Sequence, residues 1–223
     1  MKTIVMRFMM GLLLCPLMAS AAAPESQILG DFRSFLAAHW ASGLGESMLK
    51  EAKLVQDDRN GYLQAADVTD AYETTYIFAY WKMDDGNRVY GFSEASEGME
   101  GSEHKTTFWR HSKTVWAQAS DVLPSLTLAD FWDGNGQKPD ARYLRYVQLD
   151  FALPRVGTKL LVRVRPFEQL GLGERSADHP EDRDLLAEGV YDKVLAHLTS
   201  SSLELLWNGH TGKFTKGART ASK

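Results

Sequence analysis

The most constraining stretch of the chain is residues 146–165. Val147, Leu149, Phe151 and Leu153 alternate with Tyr146, Gln148, Asp150 and Ala152. After a turn at 154–157, Leu160, Val162 and Val164 alternate with Lys159, Leu161, Arg163 and Arg165. A period of two sends successive side chains to opposite faces of a strand. Two such strands joined by a short turn form an antiparallel hairpin with one buried and one wet face.

Much of the chain carries the same kind of signal. Residues 60–118 read as β-structure. Within them, 74–83 (TTYIFAYWKM) is rich in aromatic and β-branched residues, and Asp85-Gly86 marks a hairpin turn before a return over 88–94. A polar stretch, 95–103, separates this hairpin from a second one, 105–110 and 114–118, turning at 111–113. Residues 203–207 and 213–215 make a last hairpin. Two amphipathic helices are expected. One covers 27–40, with Ile28, Leu29, Phe32, Phe35, Leu36 and Trp40 on one stripe, Ser26 as N-cap, and Gly43 and Gly45 ending it. The other covers 184–198. Residues 126–132 read as a short helix and 133–140 as a loop. The two halves, 60–132 and 143–216, share an order of elements, which suggests a duplicated meander forming one continuous sheet or a barrel-like sandwich. The fold class is therefore α+β, with predominantly antiparallel sheet.

The first 21 residues read as a secretory signal peptide. Lys2 and Arg7 precede an uncharged apolar run, 8–18, and then Ala19-Ser20-Ala21. The run is too short to cross a bilayer, which takes about 20 apolar residues. Its removal takes Lys2 and Arg7 from the 25 basic residues and none from the 29 acidic ones. A net charge of −4 becomes −6, and the only cysteine, Cys15, leaves with the leader. A mature chain of this kind has no thiol chemistry and no disulfide, and its core alone must hold it. Its acidic balance argues against nucleic acid. A single β-rich domain is expected over 22–216, with an unstructured tail over 217–223.

The segments LPRVGTKLLVRV and LELLWNGHTGKF, within 60–216, resemble small exported β-rich bacterial domains of uncharacterised function. The resemblance implies the fold class and export. It transfers no functional residue.

Catalytic templates fail one by one. The serine elbow G-x-S-x-G is absent. Residues 209–213 (GHTGK) lack the first glycine and the Ser/Thr of a P-loop, and read as a hairpin turn. His104 and His111 differ in strand parity, so they face opposite ways and do not share an ion. No motif calls for a cofactor, and no catalytic residue is assigned. Two sets of candidates remain. On 74–83 both faces are apolar, so Tyr76, Phe78, Tyr80 and Trp81 are either buried on both sides or line a binding cavity. Glu94, Glu97, Glu100 and Glu103 recur every third residue and offer weak ligands for a divalent ion, or an exposed acidic loop. The sequence points to a non-catalytic binding or accessory protein of the periplasm or extracellular space. Its partner would be a protein or small ligand of the cell envelope, with no membrane span in the mature chain. The alternatives are a hydrolase of envelope polymers or secreted substrates, and a small-ligand carrier.

Overall fold

The computed structural model describes residues 26–41, 43–68, 72–98, 101–132, 147–166 and 201–221. Its architecture is α+β, with two antiparallel sheets and two helices. Helix α1 (Gln27–His39) starts at Ser26, whose side chain accepts from the Leu29 amide at 3.3 Å. Its apolar stripe buries Ile28, Phe32, Phe35 and Leu36. Helix α1 ends before Gly43, and a second helix that the sequence reading did not include, α2 (Leu44–Glu51), follows. Gly43 takes φ 88°, the left-handed conformation open to glycine, and turns the chain. Gly45 lies inside α2, where an added Cβ would sit 2.8 Å from Leu36 Cβ. The bare backbone lets α2 approach α1. The helix expected over 184–198 and the loop over 133–140 lie outside the described residues.

Six strands form the first sheet in sequence order: β1 (Lys53–Asp57), β2 (Tyr62–Val68), β3 (Tyr72–Lys82), β4 (Arg88–Gly98), β5 (Gly101–Ser112) and β6 (Val115–Gln118). Four form the second, in order β10-β9-β8-β7: β7 (Val147–Ala152), β8 (Leu160–Pro166), β9 (Ser201–Asn208) and β10 (Lys213–Ala221). The described strands thus make two sheets, not one continuous sheet or a closed barrel. Each half of the expected duplication builds its own meander.

Several boundaries differ from the sequence reading, each for a physical reason. The polar stretch 95–103 is largely strand: β4 and β5 pair from Val89↔Arg110 out to Gly98↔Gly101, beyond the core they cover. The second hairpin turns one residue later than expected, with Lys113 at φ 56°. The helix expected over 126–132 is one 3₁₀ turn, Leu128–Asp130. Residues 217–221, expected to be an unstructured tail, continue β10 past a register shift between Lys216 and Arg219. Arg219 donates to the Ala129 carbonyl oxygen, and Lys216 pairs with Asp130 at 2.7 Å.

The first sheet is covered on both faces. One face packs on α1 and α2 through Leu63, Ala65, Tyr76, Phe78, Tyr90, Phe92 and Trp116. The other packs on the second sheet, where Ala79, Trp81, Val89 and Phe108 meet Leu160, Val162, Val164, Leu203, Leu205 and Phe214. In the 146–165 hairpin β8 keeps the alternation, burying Leu160, Val162 and Val164, whereas on β7 Val147, Leu149 and Phe151 are only half-buried. Leu149 pairs with Val164 and Phe151 with Val162, and Asp150, expected on the wet face, is the buried residue of β7.

At one end the tips of the β3–β4 and β9–β10 hairpins latch together. The Asp84 amide donates to the Gly209 carbonyl at 3.1 Å, and Trp207 Nε1 donates to the Lys82 carbonyl at 2.9 Å. Gly212, at φ 64°, packs under Met83.

Candidate functional site

The strand singled out for binding is β3, and its two faces go to different layers. Tyr76 and Phe78 pack toward the helices; Trp81 lies between the sheets. Tyr80 is partly exposed and meets Tyr90 edge-on. Trp81 Nε1 donates to the Thr158 carbonyl at 3.1 Å, which satisfies its one polar atom. The four residues do not share a surface: Tyr76 and Phe78 are buried on the helix side, Trp81 is buried between the sheets, and Tyr80 is half-exposed.

Tyr76 does meet one of the acidic candidates. It lies directly opposite Glu94 across β3 and β4, with Trp40 edge-on to its ring. Burial, then the charges of Glu94 and Asp67, push the Tyr76 phenol up. Burial, then Glu103, raises the Glu94 carboxyl against the pull of Lys105. The metal quartet itself does not assemble. Three-residue spacing on a strand alternates faces, so Glu97 points away from Glu94. Glu103 returns to the Glu94 face across the hairpin, and Glu100 lies outside the described residues. Among the described residues, no three or more His, Cys, Asp or Glu side chains converge as a metal site. His104 and His111 part as parity requires. His111 stacks on Trp116 at 4.2 Å, beneath the helices.

His104 faces the second sheet, and there it completes the one arrangement with the layout of a catalytic relay. Ser93 on β4 pairs with Thr106 on β5, so Ser93, His104 and Thr106 share one face. Ser93 Oγ lies 3.0 Å from His104 Nε2. His104 Nδ1 meets Asp150 Oδ1 of β7, and Arg165 Nε holds Oδ2 at 3.0 Å. An Nδ1 that faces a carboxylate carries the ring proton, which leaves Nε2 to accept from Ser93. The Thr106 hydroxyl donates to Ser93 Oγ at 3.2 Å and reaches the Phe151 carbonyl oxygen at 3.4 Å. Burial alone would raise the Asp150 carboxyl. The hydrogen bond and charge of His104, then the charges of Arg165 and Arg163, hold it below its ordinary value.

This is the Ser–His–Asp order of acyl-transfer enzymes, recognised by geometry and not by sequence position. Two features set it apart from a working nucleophile. Ser93 is 1% exposed. It also sits on a strand paired on both sides, Ser93 with Ile77 and with Thr106, so the neighbouring backbone N–H groups serve the ladders. Such a relay needs a space about 3 Å from both the nucleophile and a pair of oxyanion donors. What the relay does as it stands is bridge the sheets with a chain of buried and half-buried polar groups.

The relay was hidden from sequence reasoning because it needs the β4–β5 register and the docking of β7. One local signal existed. Val89, Gly91 and Ser93 occupy one face of β4, so a hydroxyl continues an otherwise apolar row.

A groove of about 180 Å³ lies on the helix layer, the opposite side of the first sheet from the relay. Arg33, Leu36, Ala37, Ala41, Gly43 and Glu46 contribute to its walls. None of the residues expected from sequence to bind lines it.

No protein-family model matches the chain, and no curated protein matches it. Among solved structures it is similar to a domain of an uncharacterised protein from Porphyromonas gingivalis W83. The identity is 13% and the TM-score 0.48, over 84% of this chain and 97% of that one. The chain is thus a β-rich α+β protein outside any matched family, and among its described residues no helix is long and apolar enough to cross a membrane.

Proposed function

We propose that the first 21 residues export this chain and that it then works as a non-catalytic binding or accessory protein of the cell envelope or extracellular space. Export rests on the charged, apolar and small-residue order of residues 1–21. The non-catalytic reading rests on one observation: the serine of the Ser93–His104–Asp150 relay is shut between two sheets, 1% exposed. Its oxygen accepts from Thr106 and contacts His104 Nε2. A buried hydroxyl held this way orders the sheet interface and offers no surface to a substrate.

The relay order itself favours a second reading, a serine hydrolase whose sheets part to admit substrate. A fluorophosphonate probe separates the two. The native protein should resist covalent labelling, and Ser93→Ala should behave as wild type in an ester-hydrolysis screen. Labelling that maps to Ser93, or turnover lost in Ser93→Ala, would establish the hydrolase instead. Export is tested by fusing residues 1–30 to a reporter active only outside the cytoplasm. A silent reporter would remove the localisation.

A further inference from the structure

A cluster of cations on the helix-side face of the β3–β4 hairpin plays no part in the relay. Lys82 and Arg88 are directly opposite each other across the two strands. Like charges so placed repel. Both stand over the same ring: the Arg88 guanidinium carbon is 4.8 Å from the Tyr80 centroid, and Lys82 Nζ is 5.9 Å from it. The ring is held in place from below. Gly61 has φ 63°, and a Cβ there would come within 2.5 Å of Tyr80 Cζ. The Lys82 backbone is pinned by the Trp207 indole.

The neutralising charge at this spot is incomplete. Arg88 Nη1 reaches Asp31 at 3.6 Å, and the Tyr90 hydroxyl donates to the same Asp31 oxygen at 3.0 Å. One carboxylate oxygen therefore serves two donors. Arg88 Nε is out of solvent with no hydrogen-bond partner. Among the described residues Lys82 has no carboxylate partner. In the adjoining turn Asp85 bonds the Asn87 amide and side chain, and Asp84 lies 3.8 Å from His210, exposed to solvent. Two cations are held side by side, and Asp31 pairs with Arg88 alone of the two.

We infer that Lys82 and Arg88, seated over the Tyr80 ring, form a binding site for a small oxyanion, a carboxylate or phosphate group. An anion between the two cations removes their mutual repulsion. It also gives the guanidinium the planar, multiply bonded acceptor that its donors fit. Lys82, on the exposed side, supplies a mobile point charge. Asp31 and Tyr90 position the arginine from the helix side. The assignment does not depend on whether the Ser93 relay is catalytic.

Titration calorimetry on the mature protein tests it, with inorganic phosphate and acetate as probes at constant ionic strength set by chloride. Lys82→Ala and Arg88→Gln serve as variants, their folding checked by circular dichroism. At least one probe should bind saturably, with a dissociation constant raised tenfold or more in Lys82→Ala. That variant changes an exposed side chain and keeps the fold. Saturation by phosphate alone identifies a phosphoryl ligand; saturation by acetate as well identifies a carboxylate-tolerant site. No saturable binding of either probe overturns the proposal. So does binding that survives in Lys82→Ala and Arg88→Gln together, because it then lies elsewhere.

Discussion

The two faces of the first sheet use the same strands to opposite ends. The helix side is an aromatic pack. Phe35 touches Phe78, Phe92, Trp109 and Trp116 with ring centroids between 4.9 and 5.4 Å, and Phe78 stacks on Tyr90 at 5.3 Å. The inter-sheet side is apolar through Trp81, Val89 and Phe108, then ends in the polar string Ser93–His104–Asp150–Arg165. The helices are joined to the sheet mostly by shape and area. The second sheet is joined by area plus hydrogen bonds that have one geometry. A face held by apolar area tolerates repacking within its volume. A face that ends in a buried polar string is fixed in position, because any slide leaves charge unpaired.

The largest expected effect falls on the aromatic face. Phe78→Ala should destabilise by about 3–5 kcal/mol, since a fully buried phenyl leaves a cavity that its neighbours fill only in part. Urea unfolding measures this. A loss near 1 kcal/mol would mean the aromatic pack collapses freely, and the contrast between the faces fails.

Next comes Asp150→Asn, expected to cost about 3 kcal/mol at neutral pH, as when one member of a buried pair is removed. The sign with pH follows from its lowered folded value. The carboxylate contributes fully above the ordinary aspartate value near ~4. That contribution is lost as pH falls through the lower folded value. Wild type and Asp150→Asn should therefore converge in stability below about pH 4. Curves that stay parallel from pH 7 to 3 would take Asp150 out of the inter-sheet joint.

Ser93→Ala should cost about 1–2 kcal/mol, by leaving His104 Nε2 and the Thr106 hydroxyl short of a partner. Its unfolding cooperativity should stay intact. Ser93→Thr restores the hydroxyl but adds a methyl to a closed interface, and should not rescue fully. Lys159→Ala should stay within about 0.5 kcal/mol, because its pair with Glu204 is half in water. An effect as large as that of Asp150→Asn would erase the distinction between buried and surface charge.

What the sequence revealed follows what is local. Helix α1 was readable because three- and four-residue spacing is enough to define a buried stripe. The 146–165 hairpin was readable because a period of two is written into both strands; burial follows it on β8, while β7 buries Asp150 instead. That exception, Asp150, was placed on the wet face by parity; only the arrival of His104 and two arginines encloses it. Helix α2 was missed because Gly45 reads as a breaker in sequence and acts as a contact in space. β1 was missed because it is an edge strand with most of its residues exposed, so little hydrophobic period is written into it. The acidic run at 94–103 was legible as acidic but not as paired, since strand parity decides which glutamates meet. The relay was beyond reach: Ser93 and His104 are 11 residues apart and His104 and Asp150 are on different sheets.

The latch at the hairpin tips has a consequence for the order of folding. Within each sheet the described strands lie in chain order, and most are joined by short turns. Such meanders form from contacts between near neighbours and are quick to nucleate. The Trp207–Lys82 bond spans 125 residues. The chain recovers the loop-closure entropy of that span only once the sheets have met. Docking of two preformed sheets is then the slow event of folding. Trp207, at the seam and close to Trp81, is the fluorophore whose signal should arrive last.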